Sequence, residues 1–460
     1  MILISRKYCF LAVNFLMVFC MLLSITDSPM AGAVTKVKFI FILYCLADIV
    51  LRRKKPANNI VLAIMFIFIF YTVVWGFILD NSHVRTWNAE HRTVMLMYIF
   101  MLFGGVYELI EYKCLDEYLI TSGAALALVI LVQVITHSSS LSLNPAAVLG
   151  GVSGSERMKN AFGFMHVNFA GNACFCALIS LHYTKKEISA NNLFHSRKKI
   201  VLLLSTCFLL YILLCTSCRT ALIALGMYAG GRGMCNLFQS DRMTKGSKLL
   251  LLAIIIISVL ILLPSSFIGG FWDYVWSNSN RSLNVSENLK WVGVIGSKWT
   301  GMGYVDNQCF YRDESAGGVG GFGVATSSLD MNYLFIYCST GILGTALFIS
   351  MIALTGLGLF LNAGQEDATT HIVLYLVLLF YAYWETIMFT YRFWSMIVPT
   401  TVLLYASNGE KKNEVYKNRA APPSYSYYRD VCLLQNKTIK GDDIESAGNR
   451  GFYKDTPCQQ

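Results

Sequence analysis

Charge is what this chain has least of. Asp, Glu, Lys and Arg make up 14% of its 460 residues, whereas soluble domains carry about 25%. A large soluble helical protein is thereby excluded, since these residues cannot cover its surface. Zinc-ligand spacing is missing among the 14 cysteines. Cys9, Cys20, Cys45, Cys174, Cys176, Cys207 and Cys215 lie inside apolar runs, as small hydrophobes rather than a disulfide scaffold. GxxxxGK[ST] is absent, and Gly318-Val-Gly-Gly-Phe-Gly lacks the strand–helix context of a dinucleotide site. The first apolar run follows Arg6 and Lys7 and reaches Ile25 without a small-residue cleavage site, so it reads as a retained span. No internal repeat is visible, which disfavours the inverted halves of many secondary transporters.

What fills the chain instead is apolar. Hydrophobic residues make up 55% and mean hydropathy is +0.52. They come in runs of about 17–22 residues, enough to cross a hydrocarbon core of about 30 Å at 1.5 Å per residue. The pattern predicts an all-α polytopic membrane protein with about twelve spans: 8–26, 37–51, 60–79, 93–112, 117–135, 162–182, 200–217, 220–236, 248–266, 330–360, 370–386 and 391–407. The span 37–51 is short and holds Asp48, and 220–236 contains Gly226, Gly230, Gly231 and Arg232. The stretch 330–360 would run about 46 Å as one helix. It must tilt, start above the bilayer, or break near Gly341 and Gly344. One large polar loop, 264–328, separates the ninth and tenth spans. Residues 1–407 thus form one transmembrane domain, and 408–460 a flexible tail.

Basic residues set the orientation. Arg6-Lys7, Arg52-Arg53-Lys54-Lys55, Lys185-Lys186 with Arg197-Lys198-Lys199, Arg232, Arg242, Lys245 and the tail fall on one side. This side is cytoplasmic, with both termini. The net charge of +10 is mostly inner-face charge and calls for no nucleic-acid partner. The other face then receives 80–92, 136–160, the turn near Cys218-Arg219, loop 264–328 and the turn near Tyr391-Arg392.

That outer face carries the candidate chemistry. Arg219 is flanked closely by apolar spans. It is either an arginine snorkelling to headgroups or an anion-binding guanidinium facing a cavity. Arg157 and Lys159 precede Gly163, where the chain can turn into the membrane, and His166 and Asn168 follow as sugar-binding groups or helix caps. The loop offers Arg281, Arg312 and Glu314, and its glycines around 301–303 and 317–323 read as a mobile lid. Asp330, Asn332 and Tyr333 stand where the chain re-enters the apolar phase. Asp330 is either a cap or a carboxylate that orients or deprotonates a hydroxyl. Glu385, with Arg392 seven residues on, is an ion-pair partner or a cavity residue.

These segments, in this order, resemble the O-antigen ligase and O-antigen polymerase superfamily of bacterial envelope enzymes. The matching stretches are Arg157…Gly163…His166-Val-Asn168-Phe-Ala170, Thr216-Ser-Cys-Arg219, Gly301-Met-Gly-Tyr, and Asp330-Met-Asn-Tyr333…Gly341-Ile-Leu-Gly344. The resemblance covers about residues 8–407. Family ligases have a histidine just before the loop exit, where this chain has Asp330, which favours a repeat-unit polymerase. The resemblance implies glycosyl transfer between undecaprenyl-pyrophosphate-linked glycans at the periplasmic face of the bacterial inner membrane. The expected enzyme is inverting, metal-independent and without cofactor, with membrane lipids, a chain-length regulator and a flippase as candidate partners. Arg219 and Arg157 would hold the pyrophosphate, and Asp330, or failing that Glu314 or Glu385, would take the acceptor's proton. Two alternatives stay open: a ligase transferring glycan to lipid A-core, and a lipid-linked oligosaccharide flippase or polysaccharide transporter.

Overall fold

A computed structural model describes residues 5–52, 60–75, 89–138, 141–143, 159–190, 195–239, 289, 292, 297–301, 308–312, 322–328, 331–362 and 367–408. Their helices are α1 (Arg6–Leu23), a single turn α2 (Ala31–Val34), α3 (Val37–Arg52), α4 (Ile60–Val73), α5 (Ala89–Tyr112), α6 (Leu115–Thr136), α7 (Val167–Ala190), α8 (His195–Thr216), α9 (Arg219–Gln239), α10 (Asn332–Leu361), α11 (Ala368–Trp384) and α12 (Ile397–Ala406). Helix therefore occupies every expected span except 248–266, which lies outside the described residues. Among the described residues, five helical stretches are long and apolar enough to cross a membrane: Arg6–Leu23, Thr93–Tyr112, Leu115–Thr136, Lys199–Thr216 and Asn332–Leu361. The chain is a multi-pass helical membrane protein. Helices suit that setting because each satisfies its own backbone groups where water cannot.

One element departs from the all-α expectation. Strands β1 (Gln308–Arg312) and β2 (Phe322–Ser328) pair antiparallel inside the large loop, with Phe310 opposite Val324 and Arg312 opposite Phe322. The register shifts between Gln308 and Phe310.

Polar contacts sort the helix ends into two sets. At the first, basic end, Lys7 pairs with Glu117, Arg6 lies 3.5 Å from Asp48, and the Tyr112 hydroxyl donates to Asp48 at 2.9 Å. The starts of α1 and α6 thus meet the ends of α3 and α5. Asp48, the oddity of the short third helix, is buried there. At the far end, Asp27 N–H donates to the Gly163 carbonyl at 2.7 Å and Met165 N–H to that of Ile25 at 3.0 Å. His137 Nε2 lies 3.1 Å from Asp27 Oδ2, and Asn160 Nδ2 donates to the Cys215 carbonyl at 2.8 Å. So α1, α6 and α8 finish where α7 begins, and the packed pair α1 and α6 run parallel. In the core, α6 packs between α1 and α7, α9 lies on α11, and α4 lies against α5 and α10.

The long helix α10 does break. Gly341 has φ 64° and ψ −163°, a region open essentially to glycine alone. The bend is sharp: the rings of Tyr333 and Phe348 lie 6.4 Å apart, although fifteen residues of straight helix would separate their Cα atoms by about 22 Å. A tight turn, Ser297–Gly301, sits in the gap. Ile342 N–H donates to the Lys298 carbonyl at 2.9 Å and Leu343 N–H to that of Trp299 at 3.1 Å. These are donors that the second half of the helix cannot satisfy from within. On the opposite side of the break, the Tyr71 hydroxyl donates to the Thr340 carbonyl at 2.7 Å. Tyr71→Phe strands that buried acceptor, and is expected to destabilise the protein by about 1–2 kcal/mol, read as a lower unfolding midpoint in detergent.

Candidate functional site

The far end of the bundle gathers polar groups that apolar helices would not place there by packing alone. Its first wall is the entry to α7. A 3-10 turn, Lys159–Ala161, leads into Phe162 and Gly163, with φ values of 50° and 71°. A side chain at Gly163 would collide with His137, with Gln133 Oε1 at 2.5 Å and with Asp27 Oδ1 at 2.7 Å. Glycine is required both by conformation and by space. His166 is exposed, and its Nδ1 accepts the Asn168 backbone N–H at 3.1 Å. That bond is of the helix-capping kind, and the Asn168 side chain is left to bond elsewhere.

The second wall is the turn between α8 and α9. Ser217 has φ 53°, and the Thr216 hydroxyl both donates to the Leu213 carbonyl at 2.7 Å and accepts the Cys218 N–H at 3.3 Å. Gly171 of α7 lets this turn come close, since a Cβ there would lie 2.9 Å from Cys218 Sγ and 3.2 Å from Thr216 Oγ1. Arg219 opens α9 and is exposed. The buried Ser217 hydroxyl beside it makes no hydrogen bond.

Glu385 ties the two walls together. It is 5% exposed and follows α11 in extended conformation. Its Oε1 accepts Asn168 Nδ2 at 3.2 Å and the Thr220 hydroxyl at 3.1 Å. One carboxylate oxygen thus joins α7, α9 and α11, one residue from Arg219.

The third wall is residues 385–396, which are not α-helical, yet 385–390 and 393–396 are buried. Such backbone survives at membrane depth only when enclosed by protein or lining a cavity. Asn332, fully buried, accepts the Met388 N–H on its Oδ1 at 2.8 Å, while its Nδ2 has no hydrogen-bond partner. Tyr333 donates to the Leu379 carbonyl at 3.2 Å. Asn172 of α7 donates to the Ser395 hydroxyl at 2.9 Å. Phe389 adopts φ 61°, unusual for a bulky residue. The Phe68, Tyr98 and Phe348 rings hold it at 5.5–5.6 Å.

The structure therefore joins Asn168 to Glu385, with Arg219 adjoining through Thr220, while Asn332 reaches the 385–396 segment at Met388 and Tyr333 reaches α11 at Leu379. Lys159, Arg312 and Arg392 are placed by their backbone in the 3-10 turn, β1 and the 3-10 segment Tyr391–Met396. Arg157, Arg281, Glu314 and Asp330 lie outside the described residues, as do residues 313–321 of the expected lid and the tail from 409. Sequence reasoning assigned no role to Thr220, Asn160, Asn172 and Ser395, and took Ser217 only as part of the motif around Arg219. Asn172 and Ser395 carried one usable signal, a polar side chain within an apolar run.

Three helices, α7, α9 and α10, begin at this end, so their partial positive charge adds to that of Arg219. The arrangement suits an oxyanion beside Arg219 and a hydroxyl-bearing group beside Glu385. No known protein family matches the chain, and no curated protein is similar to it.

Proposed function

We propose that the chain polymerises undecaprenyl-pyrophosphate-linked oligosaccharide repeat units at the periplasmic face of a bacterial inner membrane. In this reading twelve spans put both termini in the cytoplasm, and the far end of the bundle, with loop 264–328, faces the periplasm. The observation that carries it is Glu385, a buried carboxylate that joins Asn168 to Thr220 one residue from the exposed guanidinium of Arg219. The chemistry needs that pair of charges. A guanidinium neutralises the departing pyrophosphate, and a carboxylate receives or orients the proton of the attacking sugar hydroxyl. Arg157 joins Arg219 at the pyrophosphate, while Lys159, Arg281, Arg312 and Arg392 supply further positive charge. Asn332, Tyr333 and His166 border the glycan, and Asp330 and Glu314, at the loop exit and in the loop, are further candidate carboxylates.

Reconstitution with a defined undecaprenyl-linked repeat unit tests the proposal: a ladder of longer glycans is the expected product. Transfer only when lipid A-core is supplied would make the protein a ligase. Movement of labelled substrate across vesicles without lengthening would make it a transporter. Within the assay, Glu385→Gln keeps an acceptor for Asn168 and Thr220 but removes the charge. It is expected to slow polymerisation about 100-fold or more while leaving the unfolding midpoint nearly unchanged. Full turnover in that variant removes Glu385 from the mechanism.

A further inference from the structure

A second polar cluster lies towards the basic end, between α7, α9 and α11, and the glycosyl-transfer reading makes no use of it. Tyr228 of α9 is 3% exposed, and the edge of its ring meets His182 at 5.4 Å between centroids. Tyr183 of α7 stacks on His371 of α11 at 5.4 Å. Tyr183, Tyr228, Arg232 and Asp367 lie within electrostatic reach of one another. Gly231 makes this possible: a Cβ there would stand 2.9 Å from Val373, so α9 and α11 nearly touch. The position is well away from Arg219, since thirteen residues of helix to Arg232 span about 20 Å. Asp367 immediately precedes α11, and the other end of that helix carries Glu385.

Three donors of the cluster have no acceptor. The hydroxyls of Tyr183 and Tyr228 and the Nε of Arg232 are buried and make no hydrogen bond. Among the described residues, Arg232 forms no ion pair. Buried donors are rarely left so, and a charged residue at membrane depth ordinarily marks a site with a partner. Three donors of this kind, two of them phenolic, converging from two helices suit an oxyanion. Asp367 within reach limits its charge, because a dianion would be repelled where a monoanion is held.

We propose that Tyr183, Tyr228 and Arg232 form a binding site for a monoanionic phosphodiester, the head-group phosphate of a phospholipid in the leaflet at the basic end. The guanidinium offers paired N–H donors to two phosphate oxygens, and the phenols donate to the same group. The site depends on the membrane setting of the helices and not on the reaction at the far end.

Thermal unfolding of the full-length protein in mixed micelles tests this, with three additions: dioleoylphosphatidylglycerol, diacylglycerol as the phosphate-free control, and inorganic phosphate. Phosphatidylglycerol is expected to raise the midpoint by several degrees and diacylglycerol to leave it in place. Tyr228→Phe, which removes only a hydroxyl, should weaken the lipid about tenfold, the effect of losing one hydrogen bond to a charged group. Arg232→Gln should abolish the gain. If millimolar inorganic phosphate gives the same gain and the same variants lose it, the phosphate site stands and its ligand is soluble. No gain from either phosphate source, or an equal gain in wild type and Tyr228→Phe, overturns the proposal. So does a Tyr228→Phe protein that is simply more stable and responds to lipid like wild type.

Discussion

Gly341→Ala is expected to leave almost no folded protein in the membrane. The residue sits at φ 64° and ψ −163°, where a Cβ costs about 1–3 kcal/mol from backbone conformation alone. That Cβ would also fall on the turn seated in the break, 2.5 Å from the nitrogens of both Thr300 and Gly301. These are backbone atoms and cannot swing aside. Gly301, at φ 77°, faces the break from the turn, and a Cβ on it would stand 2.5–2.6 Å from Ser339 C and Gly341 N. The two glycines are a matched contact, and Gly301→Ala should act in the same direction. Loss of the turn leaves Ile342 and Leu343 with unpaired N–H groups, adding about 1–3 kcal/mol each if they stay buried. Together these exceed a large share of the 5–15 kcal/mol typical of whole proteins. Gly226→Ala on α9 is the control: nothing lies within 4 Å of its Cβ position, so it should be neutral or slightly stabilising. Fluorescence-detected size exclusion of the variants side by side reads the outcome. A monodisperse Gly341→Ala peak at wild-type yield would show that the break is not required.

Arg219→Ala is expected to abolish polymer formation at unchanged protein amount. The side chain is exposed, and exposed truncations usually alter stability by no more than about 0.5 kcal/mol. Its effect on turnover should be far larger. Removing one preorganised donor from a developing anion commonly costs about 10²–10³ in rate, and a guanidinium adds full charge and a paired geometry. Arg219→Lys keeps the charge without the fork, so it should recover only part of the activity. The reconstituted ladder assay measures all three proteins. Normal glycan lengths from Arg219→Ala would sink the assignment of this end as the reaction site.

The sequence made individual elements legible more readily than their partners. Apolar run length located the helices, and the excess length of 330–360 left three explanations: a tilt, a start above the bilayer, or a break near Gly341 and Gly344. It could not point to Ser297–Gly301 as the turn that fills the break. Glycine has no side chain to advertise a contact, and the pairing spans about forty residues. Gly163 was readable as a turn because helix-forming neighbours surround it. Glu385 was readable as an ion-pair partner or a cavity residue, but its nearest charged neighbour in the chain, Arg392, drew attention from Asn168, 217 positions away. The hairpin β1–β2 was hidden by the glycines around it, although Phe310, Tyr311, Phe322 and Val324 carry ordinary strand propensity. Local periodicity records which residues want burial. It does not record which distant polar atom will meet them.

The distances in sequence between those polar partners govern how the molecule can be made. Asn168 and Asn172 sit on a helix that leaves the ribosome long before the residues they bind, Glu385 and Ser395, separated from them by 217 and 223 positions. During synthesis that helix must wait in the bilayer with two amides unmatched, and only the last hydrophobic hairpin relieves it. The Asn168–Glu385 contact is therefore completed only after α11 has been made.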